Sequence, residues 1–230
     1  MRFRATELPG RFKCAALVVA SLVCLSAGVA VGCEKTTAGT AIRAGGTATK
    51  PSSDPAEPVP GVETTVTDHV PPAAVTCIPP PVGGGRLTIV KASNPVAPRI
   101  TVWVPHGWKA ASGTGDVALR ATGPGGMSAV VTISPTDLDP GGAFLRYATD
   151  LRTTKPGVQF TVAPAQFCGY SSQLLSSTSG GMVDFADRIS HLWTNTDKYL
   201  IVIHLEGPGG APGFNDAKTA LMQQFAVIIP

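Results

Sequence analysis

The chain has 230 residues, with 18 Lys and Arg against 15 Asp and Glu, 26 Gly, 21 Pro and five Cys, and a mean hydropathy of +0.20. That is enough for one domain with a substantial core and too little for a multidomain machine. Only 14% of residues are charged and 6% aromatic, which excludes a basic nucleic-acid binder and a highly charged disordered chain.

Arg2, Arg4, Arg11 and Lys13 precede a stretch from Cys14 to Gly32 that carries no charge. A basic region followed by an apolar one ending in small residues reads as a secretory signal, removed from the fold. The stretch ends Ala30-Val31-Gly32-Cys33, which resembles a bacterial lipobox, with Ala30 where Leu is usual and Val31 where Ala or Ser is usual. Residues 1–32 are then the signal peptide and Cys33 the acylated N-terminus that holds the protein to a membrane. An ordinary cleaved signal and an uncleaved anchor are the other readings. Losing the segment removes four of the 18 cations and one of the 15 acids, so the remainder is neutral. The basic balance of the whole chain therefore gives no reason to expect nucleic-acid or phosphate partners. With Cys14 and Cys24 gone and Cys33 acylated, Cys77 and Cys168 are left, and outside the cytoplasm two thiols are most simply a disulfide. No basic cluster or helix start beside Cys168 supports the alternative of a reactive thiol.

Residues 33–82 are rich in Thr, Ala, Pro, Gly and Ser, with nine of the 21 prolines between Pro51 and Pro81. No apolar periodicity survives there, so the segment is expected to be a disordered tether spanning roughly 40 Å. Thr64, Thr65 and Thr67 beside prolines are candidate O-glycosylation sites.

The domain is expected over 83–230. Period-two alternation predicts strands over 86–91, 99–104, 117–121, 127–134, 158–162, 166–176, 188–195 and 198–206. Asn195-Thr196-Asp197 serves as a hairpin turn between the last two. Asp139-Pro140 offers an N-cap and a first-turn proline to a helix whose stripe is Phe144, Tyr147, Ala148 and Leu151, stopped by Lys155-Pro156-Gly157. A second helix is predicted over 215–224, with Ala217, Leu221 and Phe225 spaced by four. Helices set apart from runs of antiparallel strand give an α+β domain.

Chemical motifs are few. His69 falls in the tether and His106 in a turn, while His191 and His204 alternate with apolar residues and read as structural. No metal-ligand spacing occurs, and no cofactor is implied. Gly169-Tyr-Ser171-Ser172 lacks the second glycine of a nucleophile elbow. Asp184 and Asp187 flank Gly180-Gly181 and read as a solvated loop, a glycosidase-like pair being the alternative. Trp103, opposite Ile100 and Val102, reads first as packing. With Phe144, Tyr147 and Tyr199 it marks the place for an apolar ligand if sheet and helices leave a gap.

The domain resembles the LpqN family of actinobacterial lipoproteins, of PsbP-like αβα sandwich fold. The resemblance rests on the signal with its terminal Cys and Pro/Thr-rich tether, on Ile100-Thr-Val-Trp-Val-Pro-His-Gly-Trp108, on residues 129–160 with Asp137-Leu-Asp139-Pro140, and on the late hairpin and final helix. It covers most of 99–228. This chain departs from the family in having Cys77 and Cys168, and Pro79-Pro80-Pro81-Val-Gly-Gly-Gly85 in place of a polar helical lead-in. The resemblance implies an envelope or secreted protein and no shared reaction. The expected function is thus a non-enzymatic, lipid-anchored protein, on the outer side of the cytoplasmic membrane or secreted, that binds another envelope protein. The alternatives are a carrier of lipid or another apolar ligand and, less favoured, an envelope hydrolase.

Overall fold

Two strands of eleven residues, β9 (Val183–Trp193) and β10 (Lys198–Pro208), organise the chain in the computed structural model, which describes residues 59–63, 73–78, 84–165, 167–177 and 181–230. They pair without a break from Trp193↔Lys198 to Val183↔Pro208. The turn closes with the Thr194 N–H donating to the Asp197 carbonyl at 2.9 Å, and Asn195 takes φ +72°, a conformation Asn tolerates better than most residues. Signal segment, Cys33, His69, the candidate glycosylation threonines and most of the tether lie outside the described residues.

Around this hairpin a seven-stranded antiparallel sheet is built in the order β4-β5-β6-β10-β9-β8-β7. The other strands are β4 (Lys109–Ser112), β5 (Val117–Thr122), β6 (Ser128–Pro135), β7 (Phe160–Pro164) and β8 (Ser171–Ser177). A second sheet has the order β1-β11-β3-β2, from β1 (Val75–Thr76), β2 (Gly85–Val90), β3 (Arg99–Pro105) and β11 (Val227–Ile228). The expected α+β class stands, and the added detail is that the strands divide between two sheets. β4, β1 and β11 went unpredicted because Lys-Ala-Ala-Ser has no apolar alternation and two-residue strands show no period.

Helix α1 (Pro140–Thr154) starts as its sequence dictates: the Asp139 carboxylate accepts the Gly142 N–H at 2.6 Å, and Pro140 sits at the first helical position. Its buried stripe, Phe144 and Leu151 among it, meets Leu175, Phe185, Ile189 and Val202 on one face of the large sheet. The opposite face meets the small sheet and α2 (Phe214–Leu221) in a larger core containing Ile100, Val102, Val104, Trp108, Ile201, Ile203 and Leu221. α2 ends before the predicted residue 224; Phe225 lies beyond it and is buried against Phe167, ring centroids 4.3 Å apart. Beside both rings Arg188, 4% exposed, donates from Nη1 to the Met222 carbonyl at 2.6 Å, and burial lowers its pKa to about 10. Gly123 is required where Trp108 packs, since a Cβ there would stand 2.3 Å from the indole.

The start of the domain is a correction. Residues 59–63 and 73–78, expected in the tether, belong to the folded unit. Gly61, at φ +71°, lies so close to β8 that a Cβ would meet the Ser172 carbonyl, and its own carbonyl accepts the Ser172 N–H at 2.8 Å. The Ser171 hydroxyl accepts the Glu63 N–H at 2.9 Å, and β1 pairs with β11. Backbone hydrogen bonding attaches these pieces, and apolar periodicity does not reveal it.

Cys77 and Cys168, 91 positions apart in sequence, form the expected disulfide, with Cα atoms 5.5 Å apart. Both take positive φ, 57° and 49°, which costs a non-glycine residue about 1–2 kcal/mol. Closing so long a loop stabilises by about 4–5 kcal/mol in the chain-entropy account. Replacing both cysteines with serine should lower the melting midpoint of the purified protein by roughly 10 °C; an unchanged midpoint would show that the bridge carries no stability.

Candidate functional site

Among the described residues the small sheet turns one face into the core and keeps exposed apolar side chains on the other. Its inward residues Ile100, Val102, Val104 and Val227 are at most 1% exposed. Alternation sends Arg99, Thr101 and Trp103 of β3 to the other side, and register places Ile89 beside Thr101 and Leu87 beside Trp103. On that outer face Leu87 is 50% and Ile89 63% exposed, and Trp103 is half-buried. Across β11 the face continues through Ile228 to Val75, itself half exposed. Register sets Ile228 beside Arg99, so the exposed apolar patch proper is Leu87, Ile89 and Trp103; such a patch on a sheet surface is the pattern of an interaction surface.

The row has an electrostatic sign. Lys91 and Arg99 form the next pair in line beyond Val90 and Ile100, both exposed. They line a cleft of about 560 Å³ with Ser93, Asn94 and Pro95. The four strands contain no acidic residue, and the sequence holds none from 69 to 115. Among the described residues neither cation is in an ion pair. Sequence reasoning picked Trp103 from this surface but missed Leu87 and Ile89, because period two alone does not say which face of β2 is covered.

The four aromatics proposed to share an apolar site are not brought together. Phe144 is 1% exposed in the core under α1, and Tyr147 lies beside it on that helix. Tyr199 is buried on the other face of the large sheet, its hydroxyl donating to the Val96 carbonyl at 3.3 Å. Trp103 belongs to the outer face of the small sheet. Between α1 and the large sheet the space is filled by Phe144, Leu151, Leu175, Phe185, Ile189 and Val202.

Under α1 there is a polar network that the sequence did not disclose. Asp187, fully buried on β9, bonds His204 Nδ1 on β10, its partner in register. His204 Nε2 lies 3.2 Å from Glu206, and Lys155 at the end of α1 donates to Glu206 at 2.6 Å. The Tyr147 hydroxyl faces Asp187; burial, then the Asp187 charge and hydrogen bond, raise its pKa. The network fastens the middle of α1 and its C-terminal end to the hairpin. Asp184 and Asp187 are corrected accordingly: both lie in β9, on opposite faces, and Asp184 accepts the Gly210 N–H at 2.7 Å. They cannot flank one glycosidic bond.

The remaining candidates are structurally engaged. His191 Nε2 donates to the Leu138 carbonyl at 3.1 Å, and burial lowers its pKa. The Ser171 hydroxyl holds residue 63. His106 is exposed in its turn. Among the described residues no group of three His, Cys, Asp or Glu is placed to hold a metal ion, and no helix is long and apolar enough to cross a membrane.

Burial alone would lower the His204 pKa, but the hydrogen bond and charge of Asp187, with Glu206, outweigh it and leave it raised. The stability it contributes is therefore complete below its ordinary 6.5 and fades as pH climbs through the raised folded value. Glu206 is lowered, first by the Lys155 hydrogen bond, so its contribution fades only as pH falls through that lowered value. The melting-point deficit of His204→Gln should be several degrees at about pH 6 and should shrink by about pH 9. An equal deficit at both would contradict a charged His204 in the fold.

In comparisons with known proteins the chain matches no protein-family model and no curated protein. Among solved structures it is similar to the crystal structure of LpqN, involved in cell envelope biogenesis of Mycobacterium tuberculosis, at 18% identity and TM-score 0.49, over 63% of this chain and 91% of that one. It is similar also to the solution structure of cyanobacterial PsbP (CyanoP) from Synechocystis sp. PCC 6803, at 15% identity and TM-score 0.37, over 60% and 93%. These are the two kinds of protein that the sequence motifs resemble. Likeness at this level carries neither an activity nor a partner to the present chain.

Proposed function

We propose that the chain is an exported, lipid-anchored protein of the cell envelope that binds another protein and catalyses no reaction. The observation that carries this reading is the apolar patch of Leu87, Ile89 and Trp103 on the outer face of the small sheet. Leu87 and Ile89 are each half or more exposed, so covering them returns roughly 1 kcal/mol apiece. The Cys77–Cys168 bridge supports the place, since such bonds persist in oxidising compartments. The basic and apolar leader ending at Cys33 supports the anchor.

The carrier reading needs room between α1 and the large sheet, where Phe144 and its neighbours pack. The hydrolase reading needs a free nucleophile, and the Ser171 hydroxyl is held by the Glu63 backbone.

Two measurements test the proposal. Cys33→Ala should move the protein from the membrane fraction to the soluble or secreted one; unaltered fractionation contradicts acylation at this residue. Leu87→Ser combined with Ile89→Ser should reduce recovery of cross-linked envelope protein about tenfold while shifting the melting midpoint by no more than about 2 °C, as exposed positions do. Undiminished recovery contradicts a role for this face.

A further inference from the structure

The open edge of the small sheet and the cleft at its end belong to one surface, and together they specify an occupant. In an antiparallel ladder alternate residues bond to the neighbouring strand, and those between turn their N–H and C=O groups the other way. The His106 N–H donates to the Gly84 carbonyl at 3.3 Å, which sets the phase. Even-numbered residues of β2 bond to β3; Gly85, Leu87 and Ile89 present their backbone groups to the edge. Leu87 and Ile89 also carry the exposed apolar side chains, and the row ends at Lys91 and Arg99 with their cleft.

We propose that β2 takes up an extended segment of the partner protein as a fifth strand, antiparallel to it. Alternate apolar side chains of that segment lie over Leu87 and Ile89, and an Asp or Glu side chain enters the Lys91–Arg99 cleft. The proposal rests on the protein-binding reading above and names the chemistry of the partner. Direction follows from the strand: β2 ends at Val90 beside the cations, so an antiparallel segment begins there, and its acidic residue precedes its apolar ones. Charge complementarity selects an acidic segment, because this sheet has cations and no acid of its own. An anionic membrane would satisfy the cations and the apolar row, yet it would leave the edge N–H and C=O groups of Leu87 and Ile89 unpaired in a dehydrated layer. An added strand pairs them.

The test places a photo-cross-linking amino acid at position 87 or 89 of the full chain in its native cell, and at position 145, on the exposed surface of α1, for comparison. Adducts at 87 and 89 should map to one segment with alternating apolar residues preceded by Asp or Glu. Lys91→Glu with Arg99→Glu should cut their yield at least tenfold, and changing the mapped acid to Lys should restore it. With the probe at 89, Leu87→Pro removes an edge N–H without removing a bond to β3, and should lower the yield similarly at an unchanged melting midpoint. If that variant fails to fold, the charge reversal decides. Adducts at 87 and 89 to lipid, to a second copy of this chain or to a segment without the acid overturn the proposal, as does a charge reversal without effect or a lack of protein adducts at both positions. Protein adducts at 145 alone overturn it while leaving protein binding intact; lipid adducts alone at all three positions overturn protein binding itself.

Discussion

The long β9–β10 hairpin is the constraint on which the rest of the domain depends, because it is buried on both faces along nearly all its length. One face takes α1 and the other takes the small sheet with α2. A strand buried on both sides must accommodate its polar residues, and each has a designated partner. Asp187 meets His204 on the α1 side, and Arg188, one residue on, reaches through to Met222 on the other. Removing either partner would leave a charge in the interior, which is costlier than losing an exposed ion pair.

The small sheet is attached by different means. Its β1 edge is two residues long, and the disulfide at Cys77 joins that piece to Cys168, three residues before β8. With one face in the core and the other holding Leu87 and Ile89, each half or more exposed, it leaves apolar surface uncovered beside an unpaired strand edge. The absence of acids across β1, β2, β3 and β11 gives that surface a charge preference that the near-neutral domain as a whole does not have. The proposed binding would need no rearrangement of the core, since Leu87 and Ile89 are already exposed.

Much of the fold was legible because its signals are local. Asp139-Pro140 reads as a helix start from side-chain chemistry alone, and α1 begins there. The Asn195 turn and the strands around 99–104 and 198–206 follow from alternation bounded by turn residues. What escaped depended on distant partners. β9 begins at Val183, five residues earlier than predicted, because Asp184 and Asp187 look like loop residues until His204 is known to sit opposite. The packing of residue 61 against β8 is a backbone contact across more than a hundred residues, which no periodicity records. Of the proposed apolar site, residue type was read correctly for burial, but the layer was not: Tyr199 and Phe144 are both core, on opposite sides of one sheet.

The proposed strand addition requires the β2 edge to be open in the isolated protein and closed by a protein in the cell envelope. Residue-resolved amide hydrogen exchange of β2, compared between the purified protein and the protein in native envelope membranes, reads this difference. The Leu87 and Ile89 amides should exchange fast when the protein is pure and slow by at least tenfold in the envelope, while Thr88 and Val90 should be slow in both. Equal exchange of Leu87 and Ile89 in the two preparations, or protection already complete in the pure protein, would contradict it.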